Sequence, residues 1–323
     1  MKPALSGFTL EQFQDILAQQ FLEKKFRAKQ IMDWVYKGAS FSEMRNIPNE
    51  LRVKLEDNFT VRELEITQKK EENKTGTIKY LLKTKDDIII ECVVLSYEYG
   101  NTICVSSQAG CPMMCAFCAS GKDGLIRNLS ASEMISQLIC AVSDTHKPIS
   151  NIVLMGSGEP LDNYEQVKQF ISSANDPNVF GIGIRNITLS TCGIIPGIAR
   201  MIEDRVFINL SVSMHAPFSD MRAAIMPVER KYPIQDVIKI CERYRSESGR
   251  RITYEYSVVS GLNDTDACAD EIYKLLKRSD AHVNLIGMNE GNGNFAKSDD
   301  AAVREFEKKL LTRNINCTIR RKL

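Results

Sequence analysis

The chain has 323 residues and a net charge of +1, with 43% hydrophobic and 26% charged residues. That is the balance of an ordinary globular protein, long enough for one large core and a small extra domain, and its bulk charge says little about partners. No apolar run approaches the roughly 20 residues that span a bilayer, and the N-terminal MKPALSGFTLEQF lacks the apolar stretch of a secretory signal, so a cytoplasmic protein without membrane contact is expected.

Residues 1–60 read as helices. Leu10–Phe21 and Ala28–Tyr36 carry apolar residues at helical spacing, and Pro48–Leu55 predicts a third, short helix. Between Glu23 and Lys54 stand Lys24, Lys25, Arg27, Lys29, Lys37, Arg45, Arg52 and Lys54, against four acids. Such a run is either a solvated helical face or a patch that tracks phosphates. Residues 61–96 turn strand-like in the runs VRELEITQKK, TGTIKYLLK and DDIIIECVVL, with the turn cluster Glu72–Gly76 between the first two.

From about residue 101 strands and helices alternate. Strand-like runs at Thr102–Ser106, Ile152–Met155, Ile187–Ser190, Phe207–Ser213, Ile252–Val259 and His282–Ile286 are separated by helical patterns. These helices fall at Ala131–Ser143, Tyr164–Ala174, Pro196–Ile202, Gln235–Ser246, Asp266–Arg278 and Ala301–Leu311. Ser130 with Glu133 three residues on is a capping-box signature. Six βα units predict an α/β fold, a partial (β/α)6 barrel with helices outside, and Asn316–Arg320 is a last strand. The chain therefore divides into a helical segment 1–60, a β-rich connector 61–96 and a core domain 97–323. In such folds the chemistry sits at the C-terminal ends of the strands. The polar oddities do follow strands: Cys111–Cys118, Gly158-Glu159, Ser190, then Ser213 with His215, and Asn289.

Ten cysteines in a long chain without an export signal do not suggest a disulfide framework. Cys140, Cys241 and Cys268 fall in helical patterns and read as small apolar fillers. Cys111, Cys115 and Cys118, in CPMMCAFC, are different. Three thiolates on one tight loop can hold three corners of a cubane cluster and leave the fourth iron open, whereas electron-transfer clusters take four protein ligands. Structural zinc would want a fourth ligand at short range, and neither Cys140 nor His146 makes a familiar spacing. The C-x3-C-x2-C pattern resembles the radical-SAM superfamily, whose members bind a [4Fe-4S] cluster and S-adenosyl-L-methionine (SAM). Met155–Pro160 (MGSGEP) resembles that superfamily's GGEP-like stretch, which holds the amino group of SAM.

The resemblance sharpens along the whole chain. CVSSQAGCPMMCAFCASGKDGLIRNL, MGSGEPLDNY, LSTCGIIPGI, SVSMHAP and YEYSVVSGLND followed by VNLI resemble the RlmN/Cfr family of radical-SAM RNA adenine methyltransferases. FRAKQIMDWVYKGASFSEMRNIPNELRVKL resembles the family's N-terminal helical domain, thought to engage RNA. The resemblance implies methylation of adenine C2 in 23S rRNA and tRNA, or of C8 in the Cfr-like branch, through a methylcysteine, with a flavodoxin or ferredoxin as electron donor and a monomeric enzyme. It implies cluster ligation by Cys111, Cys115 and Cys118, and SAM contacts from Gly158, Glu159, Ser190, Ser213, Met214, His215 and Asn289. Cys104 matches the resolving cysteine. Glu91 falls where the family has its proton-accepting glutamate. Set in the apolar run IIIECVV, Glu91 is expected to be buried, which would raise its pKa toward that of a general base.

One departure matters. The family's chain runs on past the Arg-Arg of its last strand into a D-I-x-x-A-C-G-like stretch that carries the methyl-bearing cysteine. The present sequence ends at Leu323, and Cys317 lies on the strand side of Arg320-Arg321. A truncated or methyl-transfer-inactive chain is therefore expected. A non-catalytic RNA-binding relative and a radical-SAM enzyme with another substrate remain as alternatives.

Overall fold

The structure, a computed structural model, describes residues 2–287 and 299–320. Its contacts group the chain into two compact units: residues 1–109, 128–157 and 165–187, and residues 110–127, 158–164 and 188–323.

The first unit begins with three helices, α1 (Leu10–Gln20), α2 (Phe26–Val35) and α3 (Asn49–Asn58). Thr9 and Gln12 close a capping box on α1. Phe59 sits among Phe8, Phe13 and Phe21, with ring centroids 5.9, 6.0 and 5.9 Å away, so one aromatic hub collects the chain on both sides of the helices. The connector forms β1 (Glu65–Glu72), β2 (Thr77–Lys83) and β3 (Ile89–Tyr97), an antiparallel meander. β1 is almost wholly exposed; pairing with β2 rather than burial keeps it extended. β3 runs antiparallel to β4 (Gly100–Cys104), which opens the βα series and pairs in parallel with β7 (Ile149–Leu154). Between these two, β5 (Gln108–Gly110) and β6 (Leu125–Asn128) flank the cysteine loop in sequence, and α4 (Ala131–Thr145) follows. The expected Ser130/Glu133 box starts α4, the Glu133 amide donating to Ser130 Oγ at 3.1 Å and the Ser130 amide to Glu133 Oε2 at 2.8 Å. Ser106, just past β4, organises the loop after β7. Its hydroxyl donates to the Glu91 carbonyl at 2.6 Å and accepts the Ser157 amide at 2.9 Å. A Cβ on Gly156 would lie 2.6 Å from that hydroxyl, which is why glycine stands there.

α5 (Tyr164–Asn175) leads to the second unit. Its strands are β8 (Ile187–Thr191), β9 (Asn209–Ser213), β10 (Thr253–Val258), β11 (His282–Gly287) and β12 (Cys317–Ile319), each parallel to the next. They alternate with α6 (Ile195–Glu203), α7 (Ser219–Ile225), α8 (Ile234–Ser248), α9 (Asp266–Leu276) and α10 (Asp300–Leu311). Parallel strands with helices on their connections are covered on both faces; β10 accordingly buries Tyr254, Glu255, Tyr256, Ser257 and Val258 in succession. Cys140, Cys241 and Cys268 are buried helix fillers, as expected. α7 was not among the expected helices. Its seven residues, SDMRAAI, bury an arginine and an isoleucine, a pattern no hydrophobic periodicity signals.

Candidate active site

The cysteine loop belongs to the second unit. The Cys111 amide donates to the Gly124 carbonyl at 2.9 Å and closes the loop at its base, and the Cys118 amide donates to the Cys115 carbonyl at 3.0 Å. Gly110 has φ +76°, and a Cβ there would fall 2.1 Å from the Gly124 oxygen, so a side chain would force the base open. Cys115 packs with Met113 and Phe117 against Cys192, Ala216, Ile225 and Met226, and the Ala116 amide donates to the Ile225 carbonyl at 2.9 Å. The loop is thus fastened to the end of α7.

Burial pushes the Cys111 thiol up to about 11, against a Met113 amide that donates to it. Burial pushes Cys115 up to about 12, with Cys118 and Cys111 adding to the rise. Burial therefore opposes the thiolate at Cys111 and Cys115, and a polynuclear cationic group would supply the missing counter-charge. Among the described residues no three His, Cys, Asp or Glu side chains converge on one ion-sized point. A cubane asks for no such convergence, because each thiolate takes a different iron. Soft donors in this setting fit an iron–sulfur cluster.

Glu159 lies beside the loop's unit partner Cys192. Its Oε2 accepts the Cys192 amide at 2.7 Å and its Oε1 the Leu161 amide at 3.1 Å. Burial pushes its carboxyl up, against hydrogen bonds from the Cys192 amide and thiol and from Thr191. Gly158 before it has φ +107°. Further round the parallel sheet, Ser190 stands opposite Ser211, and Ser213, Glu255 and Asn284 are neighbours in one register row. These five side chains share one sheet face. Buried Glu255 accepts from Ser211 at 2.7 Å and from Asn284 at 2.8 Å, tying β9, β10 and β11 together.

Met214 is wholly buried. Its amide donates to the Glu255 carbonyl at 3.0 Å and its carbonyl accepts Arg222 Nε at 3.1 Å. His215 is 4% exposed with φ +52°. Its Nδ1 accepts the Ser257 amide at 2.9 Å, and its carbonyl accepts Asn263 Nδ2 at 2.7 Å. Its ring meets Phe117 edge-on at 4.5 Å. Burial, then the Arg222 charge, push its pKa down to about 3, so it is a neutral imidazole with its proton on Nε2. Asn289 lies outside the described residues.

Cys104 and Glu91 belong to the first unit. Lys79, Val93, Cys104 and Val153 form one register row across β2, β3, β4 and β7. Glu91, two residues from Val93, shares their face. The expected burial of Glu91 is corrected: its side chain is 51% exposed and paired with Lys79 at 2.6 Å. Ile90, Cys92 and Val94 take the covered face, and strand alternation puts the intervening carboxylate on the open one. Cys104 is half-buried.

Sequence reasoning missed Arg222. Its guanidinium is fully buried and binds the carbonyls of Cys192 (2.7 Å), Ser213 (2.9 Å) and Met214 (3.1 Å) and the Glu229 carboxylate. A buried, paired arginine is the available signal, and only the tertiary structure displays it.

Residues 105–276 match the Radical SAM superfamily and residues 4–61 the ribosomal RNA large subunit methyltransferase N-terminal domain. The chain is similar to the probable dual-specificity RNA methyltransferase RlmN of Clostridium novyi, at 43% identity over 98% of this chain and 93% of the relative. To the corresponding protein of Caldicellulosiruptor saccharolyticus it is 44% identical over 100% and 94%. Among solved structures, a radical SAM methyltransferase from Sphaerobacter thermophilus superposes with a TM-score of 0.92 at 37% identity, over 98% of this chain and 95% of that one. The expected α/β architecture is therefore the radical-SAM fold, whose cofactors are a [4Fe-4S] cluster and SAM. The chain belongs to the RlmN family of radical-SAM RNA methyltransferases.

Proposed function

We propose that the protein methylates C2 of an adenine in 23S rRNA, and also in tRNA, acting in the cytoplasm as a monomer that draws electrons from a small carrier such as flavodoxin or ferredoxin. The observation that carries this reading is the loop that holds the buried or half-buried thiols of Cys111, Cys115 and Cys118, in a chain similar over nearly its full length to dual-specificity RNA methyltransferases.

Cys111, Cys115 and Cys118 would hold the cluster, and Gly158, Glu159, Ser190, Ser213, Met214, His215 and Asn289 would hold SAM. When bound, cluster and SAM supply radical chemistry that can reach a ring carbon with no nucleophilic character. Glu159 would receive the amino group of SAM: its position, buried and held by two amides, keeps a carboxylate aimed without water to screen it. Gly158 lets the backbone approach closely, and the hydroxyls of Ser190 and Ser213 present donors on the face they share. His215, neutral and locked by Ser257, serves as a fixed wall rather than a proton carrier. Cys104 would be the thiol that releases the methylated product, and Glu91 the acceptor of the adenine proton. Their common sheet face supports the pairing, and Lys79 restrains the Glu91 carboxylate. No described cysteine is assigned as methyl carrier; Cys317 is buried on β12, its thiol 3.8 Å from the Glu307 carbonyl. Exposed Lys25, Lys29 and Lys54 are engaged, among the described residues, in weak surface ion pairs, so phosphates can displace their partners.

Deleting the gene should remove 2-methyladenosine from digests of 23S rRNA and tRNA, with recovery on re-expression of the wild type but not of Cys115→Ala. Unchanged 2-methyladenosine, or loss of 8-methyladenosine in its place, overturns the proposal.

A further inference from the structure

α7 is the least expected element of the second unit, and its buried arginine binds the ends of two strands of the site. Arg222 binds the carbonyl of Cys192, just past β8, and those of Ser213 and Met214 at the end of β9. Cys192 also donates its amide to Glu159. One turn on, the Ile225 carbonyl accepts the Ala116 amide, next to Cys115. Ile225 and Met226 then pack against Cys115 and Phe117. α7 therefore ties two strand ends through its guanidinium and fastens the cysteine loop through Ile225.

We propose that Arg222 is a positioning residue that also raises the reduction potential of the cluster held by Cys111, Cys115 and Cys118. The inference rests on those cysteines being cluster ligands. A positive charge in a poorly solvated region favours the more negative, reduced cluster. The charge is only partly compensated at the loop. Glu229 spends both carboxylate oxygens on Arg222 and the Ile234 amide that starts α8. Arg222 Nη2 reaches the Cys192 carbonyl at 2.7 Å, and Cys192 packs against Cys115, so the positive charge lies one residue from the loop.

The test is a pair of substitutions with opposite expected signs, read by EPR-monitored redox titration of anaerobically reconstituted protein. Glu229→Gln keeps an acceptor for Arg222 and for Ile234 and removes the negative charge. Its midpoint should rise. The double variant Arg222→Gln/Glu229→Gln removes the positive charge as well, without stranding a buried carboxylate. Its midpoint should fall below that of Glu229→Gln by about tenfold in the one-electron equilibrium, about 59 mV. Arg222→Lys, retaining charge but not the planar fork, should hold the potential while weakening SAM binding. Wild-type protein without stoichiometric iron and sulfide overturns the cluster assignment and this inference with it. A cluster whose potential is the same in Glu229→Gln and the double variant, or double-variant protein that no longer loads iron while Glu229→Gln does, leaves Arg222 a purely structural residue and overturns this inference alone.

Discussion

His215 offers a sharp test of the electrostatics. In the native chain its pKa is pushed down to about 3 from an ordinary 6.5. The unfolded chain therefore takes up a proton below pH 6.5 that the native chain refuses until about pH 3. More protons on the unfolded state means that stability rises with pH across this window and is lost as pH falls from 6.5 toward 3. Between pH 7 and pH 5 the unfolded imidazole alone gains roughly 2 kcal/mol by protonation, while the native one gains almost nothing. His215→Asn isolates the effect. Asparagine tolerates the φ of +52° better than other non-glycine residues, and its Oδ1 can accept the Ser257 amide in place of Nδ1. The variant gives up the contact with Phe117 at every pH but carries no titration. Urea unfolding followed by far-ultraviolet circular dichroism is the suitable assay, because the single tryptophan, Trp34, reports on the other unit. The wild type should lose about 2 kcal/mol more than the variant on moving from pH 7 to pH 5. Equal losses would mean that the native imidazole ionises normally and that the burial argument is wrong.

Other positions give independent checks. Glu159→Gln removes a carboxylate whose burial already opposes its charge, so stability should change by only about 1 kcal/mol, whereas SAM affinity measured by calorimetry should drop about tenfold or more through loss of a charge-assisted hydrogen bond; unaltered affinity would remove Glu159 from the SAM site. Gly110→Ala puts a Cβ 2.1 Å from the Gly124 oxygen at φ +76°, and should loosen the cysteine loop by about 2 kcal/mol or more. Faster hydrogen exchange at Cys111 and lower iron content are the signs, and wild-type values of both would contradict the close approach. Ser130→Ala deletes one half of the α4 capping box and should cost about 1 kcal/mol in thermal unfolding, with iron content unchanged.

The local sequence determined a good deal here. The C-x3-C-x2-C spacing needs no fold to be read, since eight residues suffice to bring three thiols onto one loop. The capping box at Ser130 and Glu133 is likewise a four-residue matter and forms as read. Alternating strand and helix patterns sufficed for the α/β class, because each period is set by its own segment. What the sequence could not decide depends on which face a residue turns to, and on groups far away in the chain. IIIECVV reads as a buried run, but the pleat sends Glu91 to Lys79 on the open side. Nothing in its local sequence marks Arg222; it is buried because a carbonyl 30 residues away and a carboxylate seven residues on meet its guanidinium. The charge state of His215 is set by burial and then by the Arg222 charge, and its tautomer by an amide 42 residues away. Covalent spacing fixes which donors share a loop, while solvation and charge at the site are sums over neighbours that only the folded chain assembles.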